Sequence, residues 1–529
     1  MKKPIVLNGN GDAPKAVPSS EAINTFQPRE NSPVPVRGAT VVSFMVGKHT
    51  VPAGLRAPVP PDGLGVPYAA MKIVILGAGQ VGRTAAYQLA REEANEVTVV
   101  DTNETLLRDL QDRLDIRTVC GNASYPTILE AAGAKEADIL VALTSSDEVN
   151  MMACEVAYTL YRTPTKIARI RSPEYTRHPK LFSAEALSVD VFISPEQLVT
   201  EYIERLIRYP GALQVLDFAG GRVRLVGLSA RRGGLLVGQA LRSLREHIPN
   251  TEARVVAIYR NGRSIATEGD TVIEDGDEVF FLAGRDDIRQ FMAEMRKEEK
   301  PVRRVVIAGG GHIGFSLARQ LEANNQVKII ERDPRRARKI AESFTSAIVL
   351  EGDAADEELL VEENIDSCDA FVALTNSEEA NILSAMLAKR LGAAKVMALI
   401  NKPSYAELMQ NGSIDIAISP QTITIGSLLT HVRRGDVVQV HSLRRGAAEA
   451  LEAIIHGDHR SSRVVGQRIE DISLPEGARI GCIVRGDQVI MAHHDTVVQA
   501  DDHVVLFIAD RRHVDQVERL FLGETAGRR

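Results

Sequence analysis

A long internal repeat constrains this chain more than any other feature. Met71 to Asp101 reads as an apolar run, a glycine-rich turn, a helical stretch and a second apolar run ending on an acid. The same order returns from Arg304 to Glu331. The copies agree well past the glycines. Gly121-Asn122-Ala123-Ser124 answers to Gly352-Asp353-Ala354-Ala355, and Val141 to Asn150 answers to Val372 to Asn381, an offset of 231 positions. Ile193-Ser194-Pro195 answers to Ile418-Ser419-Pro420, and Asp270-Thr271-Val272 to Asp495-Thr496-Val497. Landmarks kept in order over such a distance mark a tandem duplication.

Each copy opens with a βαβ unit. Ile73-Val74-Ile75-Leu76 is short, β-branched and unbroken by polar residues, as a buried parallel strand is. Gly77-Ala78-Gly79-Gln80-Val81-Gly82 then gives the spacing G-x-G-x-x-G, and a helix is expected from about Gln80 to Arg91. A strand over Glu96 to Val100 ends on Asp101. Gly77 permits the turn, Gly79 lets backbone approach a pyrophosphate, and Gly82 lets helix and sheet pack closely. The helix N-terminus offers free N–H groups to phosphate. Asp101 is placed for a ribose diol and would repel a 2′-phosphate, which favours NAD(H) or another adenosine nucleotide over NADP(H). The second copy supplies Gly309-Gly310-Gly311-His312-Ile313-Gly314 and Glu331. There His312 is expected at phosphate, and Arg332 either stacks on adenine, meets a phosphate or lies solvated in a basic run. Asn122 and Thr144 end the third and fourth strands at the same edge, with Asn122 placed to face adenine or ribose, and Gly352-Asp353 ends the third strand of the second copy. A Rossmann fold that keeps its glycines for packing alone is the competing reading.

The reading places a disordered or spurious extension over 1–70, where prolines and glycines crowd and Met71 directly precedes the first strand. A regulatory tail is the alternative there. A Rossmann unit follows over 71–208, a small α+β domain over 209–300, a second Rossmann unit over 301–424 and a second small domain over 425–522. Pro195 to Tyr209 is expected to leave the first Rossmann unit as a helix. In the first small domain strands are expected at Val223 to Leu228, Arg254 to Tyr259 and Glu278 to Leu282, with Asn261-Gly262 as a turn, and in the second a turn at Asp487 and a strand over Val504 to Ile508. The fold class is therefore α/β: two tandem Rossmann-like, doubly wound parallel sheets, each followed by a small α+β domain.

Composition excludes several functions. The net charge of −7 over 529 residues and the pI near 6.0 argue against a nucleic-acid partner. Four separated cysteines form no C-x-x-C and are expected as reduced core residues, with no metal site. No apolar stretch approaches the roughly 18 residues that span a bilayer. No catalytic group is found. Tyr158-x-x-x-Arg162 resembles a reductase pair but carries arginine where a tunable lysine belongs. Asp147 and Glu148 begin a helix and are expected as capping acids.

The span from Met71 to about Leu522 resembles the TrkA family of Trk potassium uptake proteins. These are built from two RCK (regulator of potassium conductance) units, each a Rossmann half followed by an RCK-C half. The likeness rests on GAGQVG with Asp101, GGGHIG with Glu331, the paired VALTSSDEVN and VALTNSEEAN segments, and the doubled small domain. It implies a non-enzymatic regulatory subunit that binds NAD(H) and ATP or ADP. Such a subunit would be cytoplasmic and peripheral on the inner face of the cell membrane. It would assemble as a homo-oligomer, a tetrameric ring, on a potassium channel partner of the TrkH/TrkG type. The resemblance places phosphates on Gly77 to Gly82 and Gly309 to Gly314, and ribose on Asp101 and Glu331. Residues 1–70 have no counterpart in the family. An NAD-dependent oxidoreductase of unknown substrate and a regulator of potassium efflux are the alternatives.

Overall fold

The computed structural model describes residues 71–91, 95–182, 186–247, 252–295, 300–402, 404–405, 413–432, 437–443 and 448–521. The extension expected over 1–70 lies outside the described residues.

The short apolar runs become central strands. β1 (Met71–Leu76), β2 (Asn95–Asp101), β3 (Arg117–Cys120), β4 (Ile139–Ala142), β5 (Thr165–Arg169) and β6 (Val191–Ile193) form a parallel sheet in the order β3-β2-β1-β4-β5-β6. The strand order reverses between β1 and β4, which opens a crevice at their carboxyl ends. An antiparallel sheet follows, of β7 (Ala212–Phe218), β8 (Val223–Ser229), β9 (Ala253–Arg260), β10 (Arg263–Ile265) and β11 (Glu278–Gly284), in the order β10-β9-β11-β8-β7. The second half repeats both. β12 (Arg304–Ala308), β13 (Gln326–Glu331), β14 (Ile348–Glu351), β15 (Ala370–Ala373), β16 (Lys395–Leu399) and β17 (Ile416–Ile418) form the parallel sheet, ordered β14-β13-β12-β15-β16-β17. β18 (Val437–Leu443), β19 (Ala448–Ile454), β20 (Ala478–Arg485), β21 (Gln488–Met491) and β22 (His503–Ile508) form the antiparallel one, ordered β18-β19-β22-β20-β21. The tandem α/β architecture is the one expected.

Local chemistry sets the joints. Asn103 caps the helix Glu104–Gln111 by accepting from the N–H groups of Thr105 and Leu106. Asn261 and Gly262 take φ of 50° and 80°, the two left-handed residues that a tight hairpin between β9 and β10 needs. Among the described residues, the first small sheet has five strands rather than the three expected. β7 starts directly behind the turn at Gly211 and β10 is a three-residue edge, so neither carries a clear alternating pattern.

The halves are interlocked. The helix Pro195–Arg208 leaves the first parallel sheet, as expected, and packs on the helix His312–Leu321 of the second half. Its counterpart Pro420–Val432 packs on Gln80–Leu89 of the first half. One core therefore joins Val199, Ile203 and Leu206 with Leu317 and Ile329, and another joins Leu428 and Leu429 with Ile75 and Ala85. A third core lies where the two small sheets meet, with Phe218, Leu225 and Leu282 against Leu443, Cys482 and Phe507.

Candidate functional site

Gly77 leaves β1 at φ +104° and Gly309 leaves β12 at φ +105°. A Cβ on Gly77 would stand 2.9 Å from the Leu143 carbonyl oxygen, and one on Gly309 2.9 Å from that of Leu374. Glycine is thus required twice over, by conformation and by the end of the neighbouring strand. Gly82 and Gly314 lie in the first helical turns. A Cβ there would fall 1.8 and 2.0 Å from the carbonyl oxygens of Gly77 and Gly309. The middle glycines are different. Nothing lies within 4 Å of the Cβ position of Gly79 or Gly311. These residues precede the helices Gln80–Leu89 and His312–Leu321, and neither helix has a side-chain cap. Uncapped first-turn N–H groups behind open space form a cradle for an anion.

The acids lock the loops. Asp101 accepts from the N–H of Ala78 at 2.6 Å through one oxygen and from that of Asn103 at 2.8 Å through the other. Glu331, longer and more buried, does the same with Gly310 and Asp333, each at 2.9 Å. The extra glycine of the second loop has a reason here. A Cβ on Gly310 would lie 2.4 Å from Ile340 Cδ1 and 3.1 Å from Glu331 Oε2. Each carboxylate oxygen keeps a lone pair with which to meet a ligand hydroxyl.

The opposite wall of each crevice depends on an asparagine that sequence reasoning left unassigned. Asn150 is fully buried. Its oxygen accepts from the Thr144 N–H at 2.9 Å and the Thr144 hydroxyl at 2.6 Å, and its amide donates to the carbonyls of Thr144 and Arg169. Asn381 makes the same four bonds to Thr375 and Leu399. The signal was available: the copies keep this Thr and Asn six residues apart while their neighbours drift. The Thr144 hydroxyl, expected at the ligand, is engaged with Asn150 and Ser146.

The other expected residues divide. Gln80 and His312 are exposed at the open helix ends, while Val81 and Ile313 pack partly into the cores beneath. Asn122 and Asp353 accept from residues two further along, Ser124 and Ala355, as local turns. Gly352 admits Leu359, whose Cδ2 would lie 2.6 Å from a Cβ. Arg332 is exposed, and the guanidinium nearest Glu331 is that of Arg336, at 3.9 Å. Asp147 is more than a cap. It is buried and accepts from the N–H groups of Arg171 and Ser172, while Ser146 caps the helix. Arg171 also donates to the Ser145 carbonyl at the first rim. At the position answering Arg171 the second half has Asn401, whose N–H donates to Glu378. The next residue, Lys402, pairs with Glu379 at 3.4 Å, so the two rims carry their cations on different residues and at different places.

Among the described residues, no group of three or more His, Cys, Asp or Glu could hold a metal ion. Tyr158 sits in a π-helical turn with the Arg162 guanidinium 5.1 Å and Lys166 Nζ 5.3 Å from its ring centre. Cys154, Cys368 and Cys482 are buried, and burial pushes the thiols of Cys154 and Cys368 up to about 12 and 11. Cys120, expected in the core, is exposed because it ends the edge strand β3. No described helix is long and apolar enough to cross a membrane.

The TrkA-N domain model matches residues 73–195 and 305–420, and the TrkA-C domain model matches 225–296 and 459–522. The chain belongs to the TrkA family. The Trk system potassium uptake protein TrkA of Halomonas elongata is 59% identical over 85% of this chain and 98% of its own. Those of Vibrio alginolyticus and Haemophilus influenzae are 57% and 49% identical over the same shares. These TrkA relatives are named for potassium uptake and not as enzymes. Among solved structures, the GsuK RCK domain aligns with a TM-score of 0.55 at 15% identity, covering 88% of this chain and 97% of that one. The GsuK channel bound to NAD aligns at 0.54 and 16% identity, covering 89% and 81%. At such identity the match shows the fold alone, a tandem RCK fold.

Proposed function

We propose that this chain is a nucleotide-binding regulatory subunit of a potassium uptake system, with one adenosine-nucleotide site in each parallel-sheet half. One observation carries the reading. Twice, an acid at the end of the second strand is bonded to a glycine loop whose middle glycine faces open space before an uncapped helix. That arrangement suits a ribose on the acid and phosphates on the helix end. NAD(H) and ATP or ADP are the proposed ligands. Asp101 and Glu331 disfavour a 2′-phosphate, and the nearby cations differ: Arg171 at the first site, Arg336 and Lys402 at the second.

The proposed partner is a membrane potassium channel subunit of the TrkH/TrkG type, met from the cytoplasmic face by a homotetrameric ring of this chain. A nucleotide with different affinities for two arrangements of the ring shifts their populations by that difference and thereby gates the partner. The test is potassium or rubidium uptake at low external potassium in cells lacking this gene. The intact gene should restore uptake, and the double variant Asp101→Ala with Glu331→Ala should not. Full restoration by a double variant that no longer binds nucleotide would refute gating through these sites.

A further inference from the structure

The two small sheets meet along β9 and β20. Gly481 of β20 makes the approach possible, since a Cβ there would fall 2.1 Å from Leu282 Cδ1 and 3.2 Å from Val256 Cγ1. Beside this contact are Arg254 on β9 and Arg479 on β20. They occupy equivalent places in the duplicated halves, 225 positions apart: Arg254 pairs with Leu282 in its sheet, and Arg479 with Phe507 in the other. Both are half-buried. Burial first, and then the charge of Arg479, hold the Arg254 guanidinium below its ordinary pKa, and no carboxylate opposes them.

The pair is not equally satisfied. Arg479 donates to the carbonyl oxygen of Thr267 at 3.1 Å and to its hydroxyl. The residue answering Thr267 in the second half is Ala492, which has no hydroxyl to offer Arg254. The Arg254 guanidinium makes no hydrogen bond or ion pair with any described residue. Two like charges partly withdrawn from water without an acid are unfavourable. A planar guanidinium with free donors is also the group best shaped to hold phosphate oxygens.

We propose that Arg254 and Arg479 form an oxyanion site of the phosphate class at the junction of the two small sheets, separate from both glycine loops. A phosphate there neutralises the pair and supplies the acceptor that Ala492 cannot. It also ties the two small sheets together, so its binding favours the arrangement in which β9 and β20 are in contact. The chemistry is shared by free inorganic phosphate and by the phosphate of a nucleotide.

The full chain is titrated with inorganic phosphate against chloride at equal ionic strength, by calorimetry and by thermal unfolding. Phosphate should raise the unfolding temperature of the wild type. Arg254→Gln should weaken this phosphate binding by at least about tenfold. In chloride the same variant should be no less stable than wild type, because the repulsion is gone. The glycine loops are untouched in this variant, so phosphate held there stays bound and is subtracted. Arg479→Gln gives a second, independent reading. A loss of one ADP equivalent per chain in Arg254→Gln would identify a nucleotide phosphate as the ligand. An unchanged ADP count with the phosphate response lost would identify free phosphate. An equal phosphate response in wild type and both variants, or one that chloride reproduces, means an adventitious ion only and overturns the site. Equal destabilisation of Arg254→Gln in both salts makes Arg254 a packing residue and overturns it as well.

Discussion

Asp101 is bonded to its own loop, so simple truncation cannot establish that it reads a ribose. Asp101→Ala frees the Ala78 and Asn103 N–H groups as well as any ligand hydroxyl, and a loosened loop would weaken every nucleotide. A double-mutant cycle separates the two effects. One axis is Asp101→Ala; the other is ADP against 2′,3′-dideoxy-ADP. A hydrogen bond to a charged acceptor contributes about 1.5–3 kcal/mol. Asp101 is half-buried, so the lower part of that range applies, roughly 1.5–2 kcal/mol, a factor of about 12–30 in affinity. The deoxynucleotide should therefore bind wild type about 12–30-fold more weakly than ADP does, while the variant binds the two equally. The same cycle at Glu331, which is buried, should give the larger coupling. Calorimetry of each variant with both nucleotides supplies the four corners, with Asp101→Ala measured in a Glu331→Ala background so that one site is read at a time. A coupling within about 0.5 kcal/mol of zero at both acids would refute the ribose assignment and leave the carboxylates as loop locks.

The two loop glycines should respond in opposite ways. Gly79→Ala places a methyl in open space, so unfolding temperature should hold while nucleotide affinity falls. Gly82→Ala drives a Cβ to 1.8 Å from a backbone oxygen and should cost about 1–3 kcal/mol or more of stability, read by chemical denaturation. Equal stabilities for the two would contradict the packing described. Asn150→Ala and Asn381→Ala each take a partner from a backbone N–H, a threonine hydroxyl and two carbonyls, about 1–3 kcal/mol for each group left unsatisfied, and should lower the unfolding temperature by similar amounts. An unchanged unfolding temperature in either would deny the clasp. His441, edge-on to Phe218 with Nε2 bonded to the Asp217 carbonyl, has its pKa lowered by burial to about 4 from 6.5. The folded state takes up the proton less readily than the unfolded one. Its contribution is therefore complete above pH 6.5 and lost as pH falls toward 4, at no more than about 1.4 kcal/mol per pH unit. His441→Asn should flatten stability against pH in that window, and an unchanged slope would place the acid sensitivity elsewhere.

What could be read from sequence was what local chemistry decides. Gly77 and Gly309 announce their turns because no other residue tolerates the backbone, and Asn103 and Asn261-Gly262 act on residues one to three places away. The duplication extended the reach, since two copies of one motif agree by more than chance. Contacts made across the fold stayed hidden. Asp147 looked like a helix-capping acid because its partners, Arg171 and Ser172, lie 24 and 25 residues away. Arg254 read as one more strand residue, since its like-charged neighbour belongs to the other half. The double use of Asp101 and Glu331 was invisible because motif reasoning assigns an acid to a ligand and does not ask what else it holds.

The interlocked helices bear on how the sites relate. Were each half a closed unit, a ligand on the first loop could be felt by the second only through the linker. Instead the helix Pro195–Arg208, which starts behind the first sheet, is buried against the helix that opens the second glycine loop. The helix Pro420–Val432 returns the contact, with Thr84 of the first loop's helix bonded to Gln421 at 3.4 Å. Lys395 of the second sheet donates to the Ala212 carbonyl at the head of the first small sheet. Packed interiors shift as units and do not stretch. A displacement of either glycine-loop helix therefore bears on a core shared with the opposite half. If each loop holds a nucleotide, the factor by which one changes the affinity of the other is matched by the reciprocal change. On the proposed reading, the unequal rims, Arg171 on one and Asn401 with Lys402 on the other, would give the two sites different nucleotide preferences.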